Sequence, residues 1–192
     1  MSNRTKQPGW RTRQPRRIVV GLLIGVIATF SVLVRRLPLW KLRYRAARIA
    51  DALPSAVLPA TVSVLPPPED EYLGVWDVRP ATARTRLQQQ YGFQQLFRAY
   101  LHGYEHNGTH RYEIASCARR PNGWLSRWQL HVRLFPTGTG QTAVWCHYER
   151  NPNIAPIAHL REDGYDPARG KKRVSTLLAD EEQLRIADEP IA

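Results

Sequence analysis

The sequence predicts an α+β fold, with an N-terminal single transmembrane helix followed by a small domain in which an antiparallel β-meander packs against two helices. Two observations support this prediction. Residues 1–50 contain twelve of the 28 Lys and Arg residues, no Asp or Glu, and one long uncharged run. Residues 69–180 contain segments of alternating polarity, separated by Gly-rich turns and flanked by helical patterns.

The uncharged run Ile18–Val34 has the composition of a membrane-spanning helix, with Arg16 and Arg17 before it and Arg35 and Arg36 after it. Its 17 residues form about 25 Å of helix, slightly short of a hydrocarbon core of about 30 Å, and snorkelling arginines can close that gap. We therefore expect the lipid bilayer as a partner and a single-pass membrane localisation. A cleaved signal peptide is the main alternative, but no small-residue cleavage site follows the run.

Composition divides the chain into six segments. They are a basic disordered tail (1–17), the transmembrane helix (18–34), a basic amphipathic juxtamembrane helix (35–52), a Pro-rich linker (53–68), the α+β domain (69–180) and an acidic tail expected to fray (181–192). Six Lys and Arg residues precede the apolar run and six follow it closely, so the positive-inside rule gives no orientation. The basic helix favours a cytoplasmic C-terminal domain, because anionic lipids are concentrated in that leaflet.

The juxtamembrane segment combines an apolar stripe with basic residues. The apolar residues recur at helical spacing: Leu39, Leu42, Ala46, Ile49 and Leu53. The basic residues are expected to contact anionic lipid headgroups: Lys41, Arg43, Arg45 and Arg48. The alternative is that the apolar stripe packs on the domain behind it.

Within the domain, patterns predict six elements in the order strand, helix, three strands, helix. The first strand is Tyr72–Val78, and a helix starts at Pro80, with a helical pattern over Leu87–Tyr104 that Asn107-Gly108 ends. The three strands of the meander are Arg111–Ala118, Arg127–Phe135 and Thr142–Glu149. Asp166-Pro167 can cap a last helix, which carries Val174, Leu177 and Leu178.

Alternation gives the meander one apolar face and one polar face. The polar face supplies the candidate ligand-binding residues, because arginines and histidines can hold an anion and a tryptophan can cover its apolar part: Arg111, Arg119, His131, Arg133, Trp145 and His147. A solvated surface with cross-strand ion pairs is the alternative. Nucleic acid is not expected as a partner, because the domain carries balanced charge and has no RNP-like motif.

Catalysis and metal binding find little support in the sequence. Alternation from Arg111 places Cys117 on the polar face with His131 and His147, and Cys146 on the opposite face, so a Cys/His enzyme is conceivable and a disulfide is not expected. No glycine elbow accompanies the cysteine, so we favour a protein that is not an enzyme and has no cofactor. The repeat of His102, His106 and His110 is interrupted by Asn107-Gly108, and without CxxC or HExxH no metal site is predicted.

These observations favour a single-pass membrane-anchored accessory or scaffold protein, with a small binding domain at the membrane surface. The alternatives are an anionic-ligand or RNA-binding protein that uses the basic-aromatic sheet face, and, with less support, a Cys/His enzyme. The sequence does not identify a protein partner.

Overall fold

The computed structural model describes residues 39–54, 63–96 and 99–187, which belong to one compact unit. Two sheets and short helices give this unit an α+β fold, as predicted. The predicted disordered tail and transmembrane helix, and residues 55–62 of the predicted linker, lie outside the described residues. Within the described ranges, no helix has both the length and the apolar character needed to cross a bilayer.

The larger sheet has six strands and antiparallel pairing throughout. In spatial order they are β3 (Gln94–Gln95), β6 (Ala115–Arg119), β7 (Trp128–Pro136), β8 (Thr142–Arg150), β2 (Tyr72–Trp76) and β9 (Leu184–Ile186). The central hairpin pairs Trp128 with Arg150 at one end and Pro136 with Thr142 at the other. Strands β6, β7 and β8 therefore form the predicted meander.

The main core lies between this sheet and two of the helices, α2 (Pro80–Gln89) and α4 (Pro167–Leu177). The described residues also form helices α1 (Leu39–Asp51) and α3 (Pro156–Leu160), and 3-10 turns at Glu69–Glu71 and Gly123–Leu125. Helices α2 and α4 pack on the same sheet face, as predicted, because they bury Leu87 and Val174 against Leu134 and Val144. Truncating one of these fully buried leucines to alanine costs about 2–5 kcal/mol.

Helix α4 begins as the sequence predicts. The Asp166 side chain accepts a 2.8 Å hydrogen bond from the Arg169 amide, and Pro167 occupies the first helical position. The capping residue satisfies one of the amides that have no partner within the helix.

The helix predicted over Leu87–Tyr104 is wrong beyond Gln89. Gly92 adopts a φ of 70°, and the Phe93 amide donates to the Leu87 carbonyl at 2.9 Å, which closes the helix end. Of the remaining apolar residues of the pattern, Leu101 and Tyr104 belong to strand β4 (Leu101–His106), Tyr91 and Tyr100 lie outside any helix or strand, and Phe97 is not among the described residues. Spacings of three and four residues do not exclude a strand, and here tertiary pairing decides the conformation.

Strand β4 is the centre of a second, three-stranded sheet. It pairs in parallel with β1 (Val64–Leu65) and antiparallel with β5 (Thr109–Tyr112). Asn107 and Gly108 have φ values of 51° and 68°, which suit the two-residue turn of a β-hairpin. The dipeptide ends no helix, and instead it reverses the chain between two strands.

The strand predicted over Arg111–Ala118 is two strands in different sheets. Strand β5 ends at Tyr112 and β6 starts at Ala115, so the alternation does not continue through the break. Cys117 consequently lies in the core and not on the polar face. It is paired across the sheet with Val132, and Val132 is paired on its other side with Cys146. Both cysteines are free, as expected, and both are buried, but the argument that placed them on opposite faces is wrong.

Part of the acidic tail predicted to fray forms strand β9, Leu184–Ile186. This strand adds to the sheet beside β2, with Gly74 opposite Ile186. Gly74 has a φ of 150°, and a side chain there would place its Cβ 2.1 Å from the Arg185 carbonyl oxygen. Strand β9 can pair here because β2 offers it an edge and a residue without a side chain at the contact.

Candidate functional site

The predicted polar face is present on the β7–β8 hairpin, but it is covered. His131, Arg133, Trp145 and His147 all lie on the face opposite α2 and α4, and each is less than 10% exposed. An anion-binding surface or an RNA-binding surface needs these groups accessible. The expectation of an open basic-aromatic face is therefore not met.

Aromatic packing covers one end of this face. The Trp145 ring lies 4.8 Å from the Phe135 ring and 5.2 Å from that of Tyr104, which belongs to the second sheet. Tyr72 completes the cluster, with its ring centroid 4.8 Å from that of Trp145. Trp145 is thus a packing residue between the two sheets.

A buried ion-pair network lies beside these rings. Glu71, from the first 3-10 turn, receives an ion-paired hydrogen bond from Arg133 and a 2.6 Å hydrogen bond from the Tyr165 hydroxyl. Burial alone would raise the pKa of Glu71, but the close contact with His147 and the charge of Arg133 outweigh it and hold that pKa well below its usual range. Arg133 is therefore already paired inside the protein.

Three potential metal ligands converge next to Glu71. The His131 Nδ1 atom lies 3.3 Å from His147 Nε2 and 3.4 Å from a Glu149 oxygen, and the second Glu149 oxygen lies 3.1 Å from His147 Nε2. All three side chains are buried. Gln129 donates to Glu149 at 2.5 Å, and His159 of α3 reaches the same carboxylate at 3.1 Å.

The far nitrogen of each imidazole also has a neighbour. His131 Nε2 lies 2.7 Å from the Ser116 hydroxyl. His147 Nδ1 lies 2.9 Å from Glu71 Oε1, close enough for ion pairing but poorly aligned for a hydrogen bond. We call His131, His147 and Glu149, with Glu71 and Ser116 behind them, the histidine–glutamate cluster.

Burial and neighbouring charges shift the pKa values of the two histidines of this cluster in opposite directions. Burial lowers the pKa of His131 to about 4, so its imidazole is neutral at pH 7. Burial also acts to lower the pKa of His147, but its close contacts with the Glu149 and Glu71 carboxylates outweigh it and raise that pKa. For Glu149, burial acts upward, while hydrogen bonds from His131 and His147 outweigh it and hold the pKa far below the usual range. The Glu149 carboxylate is therefore ionised and is surrounded by donor groups.

The other two predicted ligand-binding residues lie elsewhere. Arg111 belongs to β5 in the second sheet, with its guanidinium near Gly138, and Arg119 ends β6 with an exposed side chain. The structure therefore separates Arg111 and Arg119 from the four residues that it brings together.

The geometry gives no Cys/His nucleophile. Cys117 lies on the sheet face opposite His131 and His147, and burial raises the pKa of its thiol to about 12. The repeating histidines also fail to form one group. His102 is buried within 3.4 Å of Glu113, while His110 is exposed on the neighbouring strand.

Sequence reasoning missed the partners that complete the cluster. Alternation from His131 and His147 also places Glu149 on the polar face, which was a usable signal. Glu71 and Tyr165 come from a 3-10 turn and a loop, far along the chain from the hairpin. No local pattern marks such residues.

Helix α1 meets the domain through a face that the sequence did not indicate. Arg43, Ala47 and Ala50 are buried, whereas Leu42 and Ile49 of the predicted apolar stripe are 54% and 63% exposed. Leu42 and Ile49 therefore do not pack on the domain, contrary to the alternative stated above, and the side chain of Leu39 lies outside the described residues. Leu53, just after the helix, and Ala46 are exposed as well.

Arg43 corrects the predicted set of lipid-binding residues. Its guanidinium donates to the carbonyl oxygens of Ala99 and Tyr100 at 2.6 and 2.9 Å, and lies 3.3 Å from the buried Glu113 carboxylate. Burial alone would raise the pKa of Glu113, but a hydrogen bond from His102 and the charge of Arg43 outweigh it, so that pKa is lowered. Arg43 fastens α1 to the domain, while Lys41, Arg45 and Arg48 are exposed.

Comparisons with protein-family models, with curated proteins and with solved structures yield no match. The candidate function therefore depends on the two features described here, the outer face of α1 and the histidine–glutamate cluster.

Proposed function

We propose that the protein is a single-pass membrane-anchored accessory or scaffold protein, and that the outer face of α1 holds its domain against an anionic bilayer. The observation that supports this proposal is the exposed apolar stripe of α1, bordered by exposed basic residues. The outer face consists of Leu42, Ala46, Ile49 and Leu53, with Lys41, Arg45 and Arg48 beside them.

The arrangement around α1 suits a helix lying in the plane of a membrane surface. At about 100° per residue, the apolar stripe is centred roughly 100° from the buried face, and the basic residues lie roughly 100° further round. With the stripe facing the lipid, the domain and the basic side chains occupy the two flanks at headgroup depth. The only acidic residue of α1, Asp51, accepts a 2.6 Å hydrogen bond from Tyr112 on the domain side.

The magnitudes favour a surface contact that supplements an anchor. Leu42, Ile49 and Leu53 each keep about half of their surface exposed, so inserting each contributes about 1 kcal/mol. Each basic residue near an anionic surface adds about 1 kcal/mol. Because α1 is already folded and fastened through Arg43, little ordering entropy opposes this contact.

The sequence before α1 supports the same location. The apolar run Ile18–Val34 ends four residues before the start of α1 at Leu39, and every charged residue around it is basic. A membrane helix there would deliver α1 directly to the headgroup layer. Anionic lipid on the cytoplasmic leaflet gives the domain a cytoplasmic location in this proposal.

A polarity-sensitive fluorophore can test the contact in the full-length protein reconstituted into vesicles. The label is attached to Ile49→Cys, and Ile157→Cys in α3 is the matched control, because these isoleucines are 63% and 65% exposed. The two native cysteines are buried and should not react. In vesicles containing phosphatidylserine we expect a blue shift and quenching by brominated lipid at position 49, and neither effect at position 157.

Charge reversal separates the surface contact from the anchor. The triple change Lys41→Glu, Arg45→Glu and Arg48→Glu should abolish the shift at position 49, while the protein stays in the membrane after alkaline extraction. Equal signals at positions 49 and 157, or a signal at position 49 that is the same in phosphatidylcholine alone, would refute the role of α1. Release by alkaline extraction would instead refute the anchor.

A further inference from the structure

We propose that His131, His147 and Glu149 bind one Zn²⁺ ion in a closed structural site inside the domain. This site is separate from the membrane contact and does not depend on it. It also differs from the anion-binding role that the sequence suggested for the two histidines.

The separations between the ligand atoms fit a tetrahedral ion. Zinc bonds to histidine nitrogen and carboxylate oxygen measure about 2.0–2.2 Å, so neighbouring ligand atoms in a tetrahedron lie about 3.3–3.5 Å apart. His131 Nδ1 lies 3.3 Å from His147 Nε2 and 3.4 Å from Glu149 Oε1, and His147 Nε2 lies 3.1 Å from the other carboxylate oxygen, Glu149 Oε2. Each nitrogen is therefore within a few tenths of an ångström of a tetrahedral edge length from the other nitrogen and from one oxygen of Glu149.

The far ring nitrogens of both histidines have oxygen neighbours. Metal-bound histidines usually donate their other N–H to a carboxylate or another oxygen acceptor, which fixes the tautomer. His131 Nε2 lies 2.7 Å from the Ser116 hydroxyl, and His147 Nδ1 lies 2.9 Å from Glu71 Oε1, an ion-pair contact without hydrogen-bond alignment. With protons on those two nitrogens, His131 Nδ1 and His147 Nε2, which lie beside Glu149, are the atoms left to bind the ion.

The supporting carboxylate is itself held in place. Arg133 binds Glu71 Oε2, and the Tyr165 hydroxyl donates to Oε1, which is also the oxygen nearest His147. A buried cation would replace the proton between His147 and Glu149. It would also be bound by both His131 Nδ1 and His147 Nε2. Two nitrogens and one carboxylate oxygen form a ligand set typical of Zn²⁺.

Burial indicates a structural role for the ion. The three ligands are between 2% and 7% exposed, which suits an ion that is closed off from substrates in solution. His159, whose side chain is 29% exposed, lies 3.1 Å from Glu149 and lines the side closest to solvent. The ion would join β7 and β8 at a point where the 3-10 turn, Tyr165 and α3 meet.

The test uses the full-length protein in detergent micelles, stripped of metal with a chelator and then titrated with Zn²⁺. We expect one zinc per chain after desalting, measured by elemental analysis, and a rise in the thermal midpoint that grows with zinc concentration. Co²⁺ in place of Zn²⁺ should give the visible absorption of a tetrahedral site. Glu149→Gln, which preserves size, should weaken binding by more than about 100-fold, since the loss of a ligand exceeds the 10–100-fold effect of an outer partner.

Two further variants keep the result decisive if Glu149→Gln does not fold. Ser116→Ala removes only the hydroxyl behind His131 and should weaken zinc binding by about 10–100-fold. His110→Gln changes an exposed histidine outside the cluster and should leave binding unchanged. No zinc binding and no thermal shift in the unmodified protein would overturn the proposal. Zinc binding that survives Ser116→Ala undiminished or is lost in His110→Gln would overturn it as well.

Discussion

Replacing Arg43 with methionine should destabilise the domain far more than the same change elsewhere on α1. Arg43 is 8% exposed and makes two hydrogen bonds to backbone carbonyls, at 2.6 and 2.9 Å, in addition to its contact with Glu113. Methionine retains much of the apolar stem but leaves the Glu113 carboxylate buried with His102 as its remaining close partner. Removing one member of a buried ion pair costs about 3–5 kcal/mol, a large part of a total stability of about 5–15 kcal/mol.

The matched control is Arg45→Met, two residues further along the same helix, where the side chain is exposed. It should change the free energy of unfolding by less than about 0.5 kcal/mol. The measurement is urea unfolding of the full-length protein in micelles, followed by tryptophan fluorescence. Adding Glu113→Gln to Arg43→Met should recover part of the loss, because the second change removes the unpaired charge.

Equal stabilities for Arg43→Met and Arg45→Met would refute the role given to Arg43. In that event α1 would be held by its other contacts, which include the burial of Ala47 and Ala50 and the hydrogen bond from Tyr112 to Asp51. The orientation of the outer face of α1 would then depend on those contacts and not on Arg43.

Three further predictions concern other parts of the domain. First, the folded-state pKa of Glu113 is lowered from 4.5, so its contribution to stability is present above about pH 4.5 and is lost as the pH falls through the folded-state value. The free energy of unfolding should therefore fall less steeply with decreasing pH in Glu113→Gln than in the unmodified protein. Second, Gly74→Ala should detach β9, seen as faster hydrogen exchange at Leu184–Ile186, whereas Gly140→Ala should not, because Gly140 also has a positive φ but has open space around it. Third, Cys117 and Cys146 should both resist alkylation in the folded protein and both react after denaturation without reductant; rapid labelling of either thiol in the folded protein would contradict the packing described for the core.

The histidine–glutamate cluster and the outer face of α1 differ in how they can act. The residues of the cluster are buried, and Glu71 of the 3-10 turn, Tyr165 and His159 of α3 lie against them. The outer face of α1 is the reverse case, since its apolar and basic residues are exposed together. A metal ion suits the cluster, because it gives the crowded nitrogens and carboxylate a shared ligand. A bilayer suits the outer face of α1, because it receives exposed apolar residues and anionic headgroups attract the basic ones.

The local sequence pattern was sufficient to predict those elements whose conformation depends on neighbouring residues alone. Alternation with a period of two predicted β7 and β8 and sorted their side chains onto two faces, because strand geometry alone dictates that sorting. The capping residue Asp166 and the following Pro167 predicted the start of α4, since both act on the first helical turn.

Only the tertiary structure decided what lies opposite each face. Glu71 is 62 residues from Arg133 and 94 from Tyr165, and Arg43 is 70 residues from Glu113. Periodicity shows which side chains share a surface, but whether that surface meets water, a ring or a carboxylate depends on contacts between distant segments. The same reason explains why the segment of Leu101–His106 became a strand, and why α1 buries an arginine while its leucines remain exposed.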